Sequence, residues 1–372
     1  MTTGVGVPID ELDTPAVLVD LDRLERNITR MAQLAADAGV NLRPHTKSHK
    51  TAGIAHRQLA AGAAGVTVAK LDEAEACLKE GIRDIFVANE VAGRHKWARA
   101  ARLQEQGTVA VGVDSVEAAR GLSEAAAERG VQIPVLVEVD TGLHRAGLPP
   151  GNRVADLAER IAPLPGVILR GVFTHAGHAY GAHALEEVQR IAHAEARGVL
   201  DSAESIRGRG LECLVISVGS TPTICAAGAL PGVTEIRPGN YVFFDRMQVG
   251  LGVTTRETCS QTILATVISR PVADRIVVDA GSKTFALDRG AHGLETVAGY
   301  GEDVDHGLVL ERLSEEHGII TGAAPSGIAV GSRLRFLTNH ACTVANLADV
   351  LYGVRNAVVE EIFPVMVRGG GR

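Results

Sequence analysis

Apolar and polar positions alternate along this chain in two different regimes. Up to about residue 248, short runs of β-branched and apolar residues alternate with segments of helical period. In segment 22–38, for example, Leu24, Ile28, Met31 and Leu34 or Ala35 fall on one face of a helix. Strand-like runs follow at 40–47 (VNLRPHTK), 65–70, 84–90, 108–114, 133–141, 169–176, 211–220 and 233–244. Helical stretches such as 71–80, 115–129 and 185–207 separate them. Eight strands alternating with helices over about 240 residues predict a (β/α)8 barrel, for which roughly 250 residues is typical. A doubly wound sheet fits less well, because no G-x-G-x-x-G follows the first strand. The strand ends are also polar: His45 and Lys47, Lys70, Asn89 and Glu90, Asp114, Asp140, His175, Ser220 and Asn240. Barrel active sites are built at that end of the strands.

Beyond residue 249 the helical period fades. Runs at 262–268, 275–279, 329–337 and 350–362 are β-branched and bounded by Gly, Pro and Asp. The pattern predicts a barrel domain over 1–248 and an all-β domain over 249–372. Residues 13–21 (DTPAVLVDL) are strand-like, so residues 1–20 either join the β domain or lead into the barrel.

Composition narrows the function. The chain is 46% hydrophobic and 22% charged, which is enough apolar material for a sizeable core. A net charge of −7 without a basic stripe, and only 3% aromatic residues, argue against nucleic-acid binding. No apolar run reaches the roughly 18 residues of a membrane span, and residues 1–10 lack a basic stretch followed by an apolar core, so a soluble, cytoplasmic protein is expected. Five scattered cysteines without a C-x-x-C pair read as thiols of a reducing compartment, four of them packing residues.

Three features carry chemistry. Lys47, inside RPHTKSHK at the end of the first barrel strand, is flanked by histidines. Burial and like charge there lower the pKa of an amine, as Schiff-base chemistry requires. Gly219-Ser220-Thr221 and Gly239-Asn240, after the seventh strand and in the eighth, suit a phosphate, since barrels often bind one with these loops. A lysine and a phosphate site together suggest pyridoxal 5'-phosphate. His340 and Cys342, two apart on an expected extended segment, point to one side and suit zinc or another borderline metal with open positions.

The ordered set DTPAVLVDL, RPHTKSHK, THAGHAY, VGSTPT, RPGNYVFFD, VDAGSK and NHAC resembles the D-serine dehydratase and D-threonine aldolase family, fold type III pyridoxal-phosphate enzymes related to alanine racemase. The resemblance runs from Asp13 to about Arg368. It implies that Lys47 carries the cofactor and takes part in catalysis, and that Gly219, Ser220, Thr221, Gly239 and Asn240 cradle its phosphate. It further implies that Arg145 lies near the cofactor's phenolic oxygen, that His175 and Tyr180 line the ring and substrate space, and that His340 and Cys342 hold a divalent metal, zinc or manganese. A homodimer is also implied.

His-x-Cys in place of the aldolases' His-x-Asp leans toward dehydration of D-serine, D-threonine or 3-hydroxy-D-aspartate. Retro-aldol cleavage to glycine and an aldehyde is the alternative, with His178 and His183 nearby as bases. A racemase is more remote, since neither Tyr300 nor Tyr352 stands in a racemase-like context. A non-catalytic cofactor binder would leave the β domain without a purpose.

Overall fold

The computed structural model describes residues 4–322, 325 and 327–372. Strand β1 (Ala16–Asp20) precedes β2 (Asn41–Leu42), β3 (Val66–Val68), β4 (Asp84–Glu90), β5 (Thr108–Val113), β6 (Ile133–Glu138), β7 (Val167–Phe173), β8 (Val215–Val218) and β9 (Glu235–Ile236). Then come β10 (Gln261–Val272), β11 (Arg275–Val278), β12 (Gly301–Asp303), β13 (Arg312–Leu313), β14 (Gly318–Thr321), β15 (Arg333–Thr338), β16 (Val350–Arg355) and β17 (Val358–Pro364). Two compact units divide the chain. One comprises Met1–Thr29, Ser48–Ile54 and Asn240–Gly369, the other Arg30–Lys47, Ala55–Gly239 and Gly370–Arg372.

The second of these units is the (β/α)8 barrel. Its eight parallel strands run in the order β2-β9-β8-β7-β6-β5-β4-β3, and a parallel bridge from His45 to Thr67 closes the ring. At this closure Thr67 donates its N–H to the Pro44 carbonyl (2.8 Å) and its hydroxyl to that of Arg43 (2.8 Å). The strands are buried along most of their length, as expected of a parallel sheet covered by helices. Two strands are shorter than the apolar runs suggest. In 211–220 the strand starts only at Val215, just after the Leu214 N–H donates to the Arg170 carbonyl of β7. In 233–244 it stops at Ile236, because Pro238 has no N–H for the ladder, and the chain passes into a 3-10 turn at Asn240–Val242. Inside the barrel Phe173 meets Phe86 edge-on with centroids 5.0 Å apart. Gly112 leaves the room: a Cβ there would lie 2.6 Å from the Phe173 ring.

The other unit is a mostly antiparallel sheet ordered β13-β14-β11-β10-β1-β16-β17, with β15 beside β10 and β12 beside β15. Strand β1 joins this sheet, antiparallel to β10 and parallel to β16. Run 350–362 is not one strand but the hairpin of β16 and β17, turning at Asn356 and Ala357, both with positive φ. Asn tolerates this conformation, and with no Gly or Pro present the turn carries no obvious sequence mark. Strands β12 to β14 are two to four residues long and too short to show a period. Leu12, Ala16, Leu18, Leu264 and Val359 form one cluster of this unit's core. No helix of the described residues is long and apolar enough to cross a membrane.

Truncating the Phe173 ring would remove its contacts with Phe86. Phe173→Ala is expected to cost about 3–5 kcal/mol in equilibrium urea unfolding, the usual loss for a buried phenylalanine. A change below about 1 kcal/mol would contradict this account of the barrel core.

Candidate active-site residues

In the barrel unit, Lys47 lies in the 3-10 turn Thr46–Ser48, two residues past the closing bridge at His45. His45 Nδ1 accepts the Lys47 N–H at 3.4 Å. Burial holds the His45 imidazole well below its ordinary pKa, and the positive charges of Lys47, His175, Arg237 and Arg145 push it further down. These groups therefore lie within electrostatic reach of one neutral histidine. The other lysine of the same motif, Lys50, is bound elsewhere. Its Nζ donates to Asn346 Oδ1 at 2.7 Å, in the β unit.

Arg145 Nη2 stands 3.6 Å from Glu138 Oε1. Burial pushes Glu138 up to about 9, helped by a hydrogen bond to Glu90 and by its charge, while Arg145 and Arg237 pull the other way. Near neutrality Glu138 therefore carries a proton. Arg237 is buried. It donates to Ser217 Oγ and the Thr174 carbonyl, and its guanidinium carbon lies 5.7 Å from the Phe86 centroid and 5.4 Å from that of Phe173. Burial lowers its pKa, and Glu235, Glu195 and Glu138 oppose that shift. Ser217 in turn donates to Glu235 (2.6 Å), which accepts from Arg43 (2.7 Å).

The loop after β8 is tightly shaped. Gly219 has φ +118°, and a Cβ there would lie 3.2 Å from the Arg237 nitrogen. Its N–H donates to Glu195. Ser220 caps the short helix Thr221–Ala227 reciprocally: its N–H donates to Thr223 Oγ1 (3.1 Å) and its Oγ accepts the Thr223 N–H (3.5 Å). The first two N–H groups of the expected cradle thus have partners within the protein. Gly239 follows Pro238, whose carbonyl accepts the His45 N–H at 3.0 Å. His175 emerges just past β7, and Tyr180 lies in the 3-10 segment Gly177–Gly181, both partly buried.

In the β unit, His340 and Cys342 do not lie on one extended segment as the sequence suggests. His340 is the extended N-cap (φ −133°, ψ 96°) of helix Ala341–Leu347, and Cys342 is in its first turn, because β15 already ends at Thr338. The two side chains still meet. Burial would lower the His340 pKa, but hydrogen bonds to Asp288 and Cys342 and the charges of Cys342 and Asp245 carry it to about 10. Burial raises the Cys342 thiol, and His340 with Ser48 brings it below its ordinary value. His340 Nδ1 is 2.6 Å from Asp288 Oδ2, and Cys342 Sγ is 3.3 Å from Ser48 Oγ.

Asn240, expected at the phosphate, has its side chain in this cluster. Its Nδ2 donates to Asp245 Oδ2 at 2.6 Å and lies 3.7 Å from Cys342 Sγ, while its buried Oδ1 has no hydrogen-bond partner. Asp245 also accepts the N–H groups of Ala341 (3.0 Å) and Gln248 (3.1 Å). Among the described residues no three His, Cys, Asp or Glu side chains are grouped to hold a metal. An imidazole with Nδ1 fixed by a carboxylate, a thiol of lowered pKa and an unpartnered amide oxygen nevertheless form a donor set that fits a borderline cation.

Sequence reasoning missed Arg237, Glu138, Glu195 and Asp288 as site residues. Two of them left a trace: Glu138 interrupts the apolar run of β6, and Glu195 falls among the buried positions Val188, Ala192, Ala196 and Val199 of helix Leu185–Arg207. Asp288 precedes its partner His340 by 52 residues, and no pattern links them.

Comparison with known proteins identifies the family. Residues 19–247 match the family model for the N-terminal domain of alanine racemase, and residues 260–354 that for a putative serine dehydratase domain. The chain is 42% identical over 348 residues to D-threo-3-hydroxyaspartate dehydratase of Delftia sp. (strain HT23), covering 89% of this chain and 91% of that one. It is 35% identical to D-threonine aldolase of Arthrobacter sp., covering 99% and 96%. The structure superposes on D-threonine aldolase from Filomicrobium marinum with a TM-score of 0.91, 33% identity and 99% of each chain covered. On a cysteine-to-alanine mutant of D-threo-3-hydroxyaspartate dehydratase in its metal-free form the TM-score is 0.89, with 37% identity and 96% and 98% covered. The chain belongs to the D-serine dehydratase and D-threonine aldolase family, lyases among the fold type III pyridoxal-phosphate enzymes.

Proposed function

We propose that this protein is a pyridoxal-phosphate- and divalent-metal-dependent dehydratase of β-hydroxy-D-amino acids, releasing a keto acid and ammonia from D-serine, D-threonine or 3-hydroxy-D-aspartate. The observation that carries dehydration over other chemistry is the His340–Cys342 pair with its Asp288 and Asn240 neighbours. It joins the 42% identity to a dehydratase. In this reading Lys47 carries the cofactor, and Gly219, Ser220, Thr221 and Gly239 surround its phosphate, while the Asn240 side chain, expected there from the sequence, belongs with the metal-site residues. The cation cluster around His45 fits such a group, because it offers excess positive charge to a phosphate and a phenolate. Arg145 faces the phenolic oxygen, and His175 and Tyr180 line the substrate space.

The bound cofactor supplies an electron sink for charge developing at Cα. Lys47 Nζ takes the Cα proton. His340 and Cys342 would hold zinc or manganese, which would supply Lewis-acid polarisation of the β-hydroxyl, and the substrate loses its Cα proton and that hydroxyl as the elements of water. The resulting enamine hydrolyses to keto acid and ammonia. Glu138 stays protonated beside Arg145 and leaves the arginine's charge largely uncompensated near neutral pH. A homodimer in the cytoplasm completes the proposal. It rests on the family resemblance and on five cysteines that are all free thiols.

Borohydride reduction with pyridoxal phosphate should label Lys47 in a peptide mass map, and Lys47→Ala should lower turnover by about 10²–10⁴-fold. Full turnover in that variant would sink the assignment. Products from D-serine, D-threonine and 3-hydroxyaspartate separate the reactions: ammonia with keto acid marks dehydration, whereas glycine with an aldehyde marks the aldolase. Chelation should abolish activity, zinc or manganese should restore it, and Asp288→Asn should weaken metal affinity roughly 10–100-fold. Chelator-insensitive turnover would remove the metal from the reaction. Finally, Glu138 has a folded pKa of about 9 against an ordinary 4.5, so its stabilising contribution is full below about pH 4.5 and is lost as pH rises through about 9. Between about pH 6 and 9 the wild-type melting temperature should therefore fall more steeply than that of Glu138→Gln; parallel curves would contradict the buried, protonated state.

A further inference from the structure

Glu195 is a carboxylate where the helix pattern calls for an apolar residue. It sits on the buried face of helix Leu185–Arg207 beside Ala192, Ala196 and Val199, and is 2% exposed. A carboxylate there is tolerated only if strong donors meet it. The donors come from two neighbouring strand ends. The β7–β8 ladder ends with Phe173 opposite Ser217, after which Thr174 still donates its N–H to the Ser217 carbonyl. Beyond that point Glu195 Oε1 accepts the N–H of Ala176 at 3.2 Å and that of Gly219 at 3.0 Å. Burial raises the Glu195 pKa, while these two N–H groups, the Thr223 hydroxyl and the charge of Arg237 favour the ionised form.

One carboxylate thus joins the segment leaving β7, which carries His175, to the segment leaving β8, which carries Gly219, Ser220 and Thr221. The turn at Gly219 is also confined from its other side: its φ of +118° disfavours other residues, and a Cβ would press on the Arg237 nitrogen. The Thr223 hydroxyl that meets Glu195 is the same group that accepts the Ser220 N–H. The carboxylate is therefore tied to both the first residue of the loop and the cap of the following helix.

We propose that Glu195 is a positioning residue for phosphate recognition: through the Gly219 and Ala176 N–H groups and Thr223 it fixes the loop 219–221 in the shape that receives the cofactor's phosphate ester. The inference rests on the pyridoxal-phosphate reading above. Its mark is selectivity for the phosphate, since a residue that merely held the barrel together would support every ligand alike.

The test is absorbance titration of the full-length protein, freed of cofactor, with pyridoxal phosphate and with pyridoxal, which has the aldehyde but no phosphate. Glu195→Ala should weaken pyridoxal phosphate binding about tenfold or more, the order expected when charge-assisted hydrogen bonds are lost, and leave pyridoxal within about threefold of wild type. Glu195→Gln keeps an acceptor oxygen without the charge and should lose about threefold for pyridoxal phosphate alone. Should the alanine variant fail to fold, the glutamine variant decides. Equal losses for both ligands, or an unchanged pyridoxal phosphate affinity in both variants, would overturn the inference. A wild type that binds neither ligand would overturn the cofactor reading, and this inference with it.

Discussion

The burial of the Arg237 guanidinium sets the terms for the barrel unit. A permanent cation removed from water needs hydrogen-bond acceptors on its edges, polarisable surface on its faces and negative charge within reach. Each requirement recruits particular residues. Ser217 and the Thr174 carbonyl take the edges, and the rings of Phe86 and Phe173 lie near the faces. Glu235 and Glu195 supply the charge. These partners come from strands β4, β7, β8 and β9 and from the long helix Leu185–Arg207, so satisfying one side chain draws much of the barrel wall into a single electrostatic system.

That system fixes which groups carry protons. Burial, with the surrounding cations, keeps His45 neutral, and burial, with Glu90 nearby, keeps Glu138 protonated. Backbone and hydroxyl donors around Glu195 oppose part of its desolvation, though burial still raises its pKa. The β unit solves a similar problem in another way. There His340 and Cys342 hydrogen-bond each other, and Asp288 and Ser48 hold one partner each. In both units a carboxylate fixes a neighbouring donor: Glu195 the Gly219 N–H, and Asp288 the His340 ring.

Much of this was legible in the sequence, and the remainder was hidden for physical reasons. Barrel strands declare themselves because both faces are buried, which writes unbroken apolar runs such as IFVA in β4 and VLV in β6. Lys47 stood out because it is a lysine at a strand end among histidines. The residues that orient others were harder to see. Asp288 meets His340 from a loop 52 positions earlier, and Asn240 turns its side chain toward Asp245 although its neighbour Gly239 suggested a phosphate contact. The hairpin at Asn356 and Ala357 escaped notice because its turn uses a residue that merely tolerates positive φ. Composition reports what is buried; it says little about which polar group faces which.

The pairing of β2 with β9 has a consequence for the assembly of the barrel. Asn41 and Leu42 pair with Glu235 and Ile236, and Arg43 reaches Glu235 across 192 residues of chain. Contacts of such separation carry a large loop-closure entropy and slow folding. The turn that holds Lys47 follows directly on β2, so its strand gains this neighbour only once residues 235 and 236 have been added to the chain.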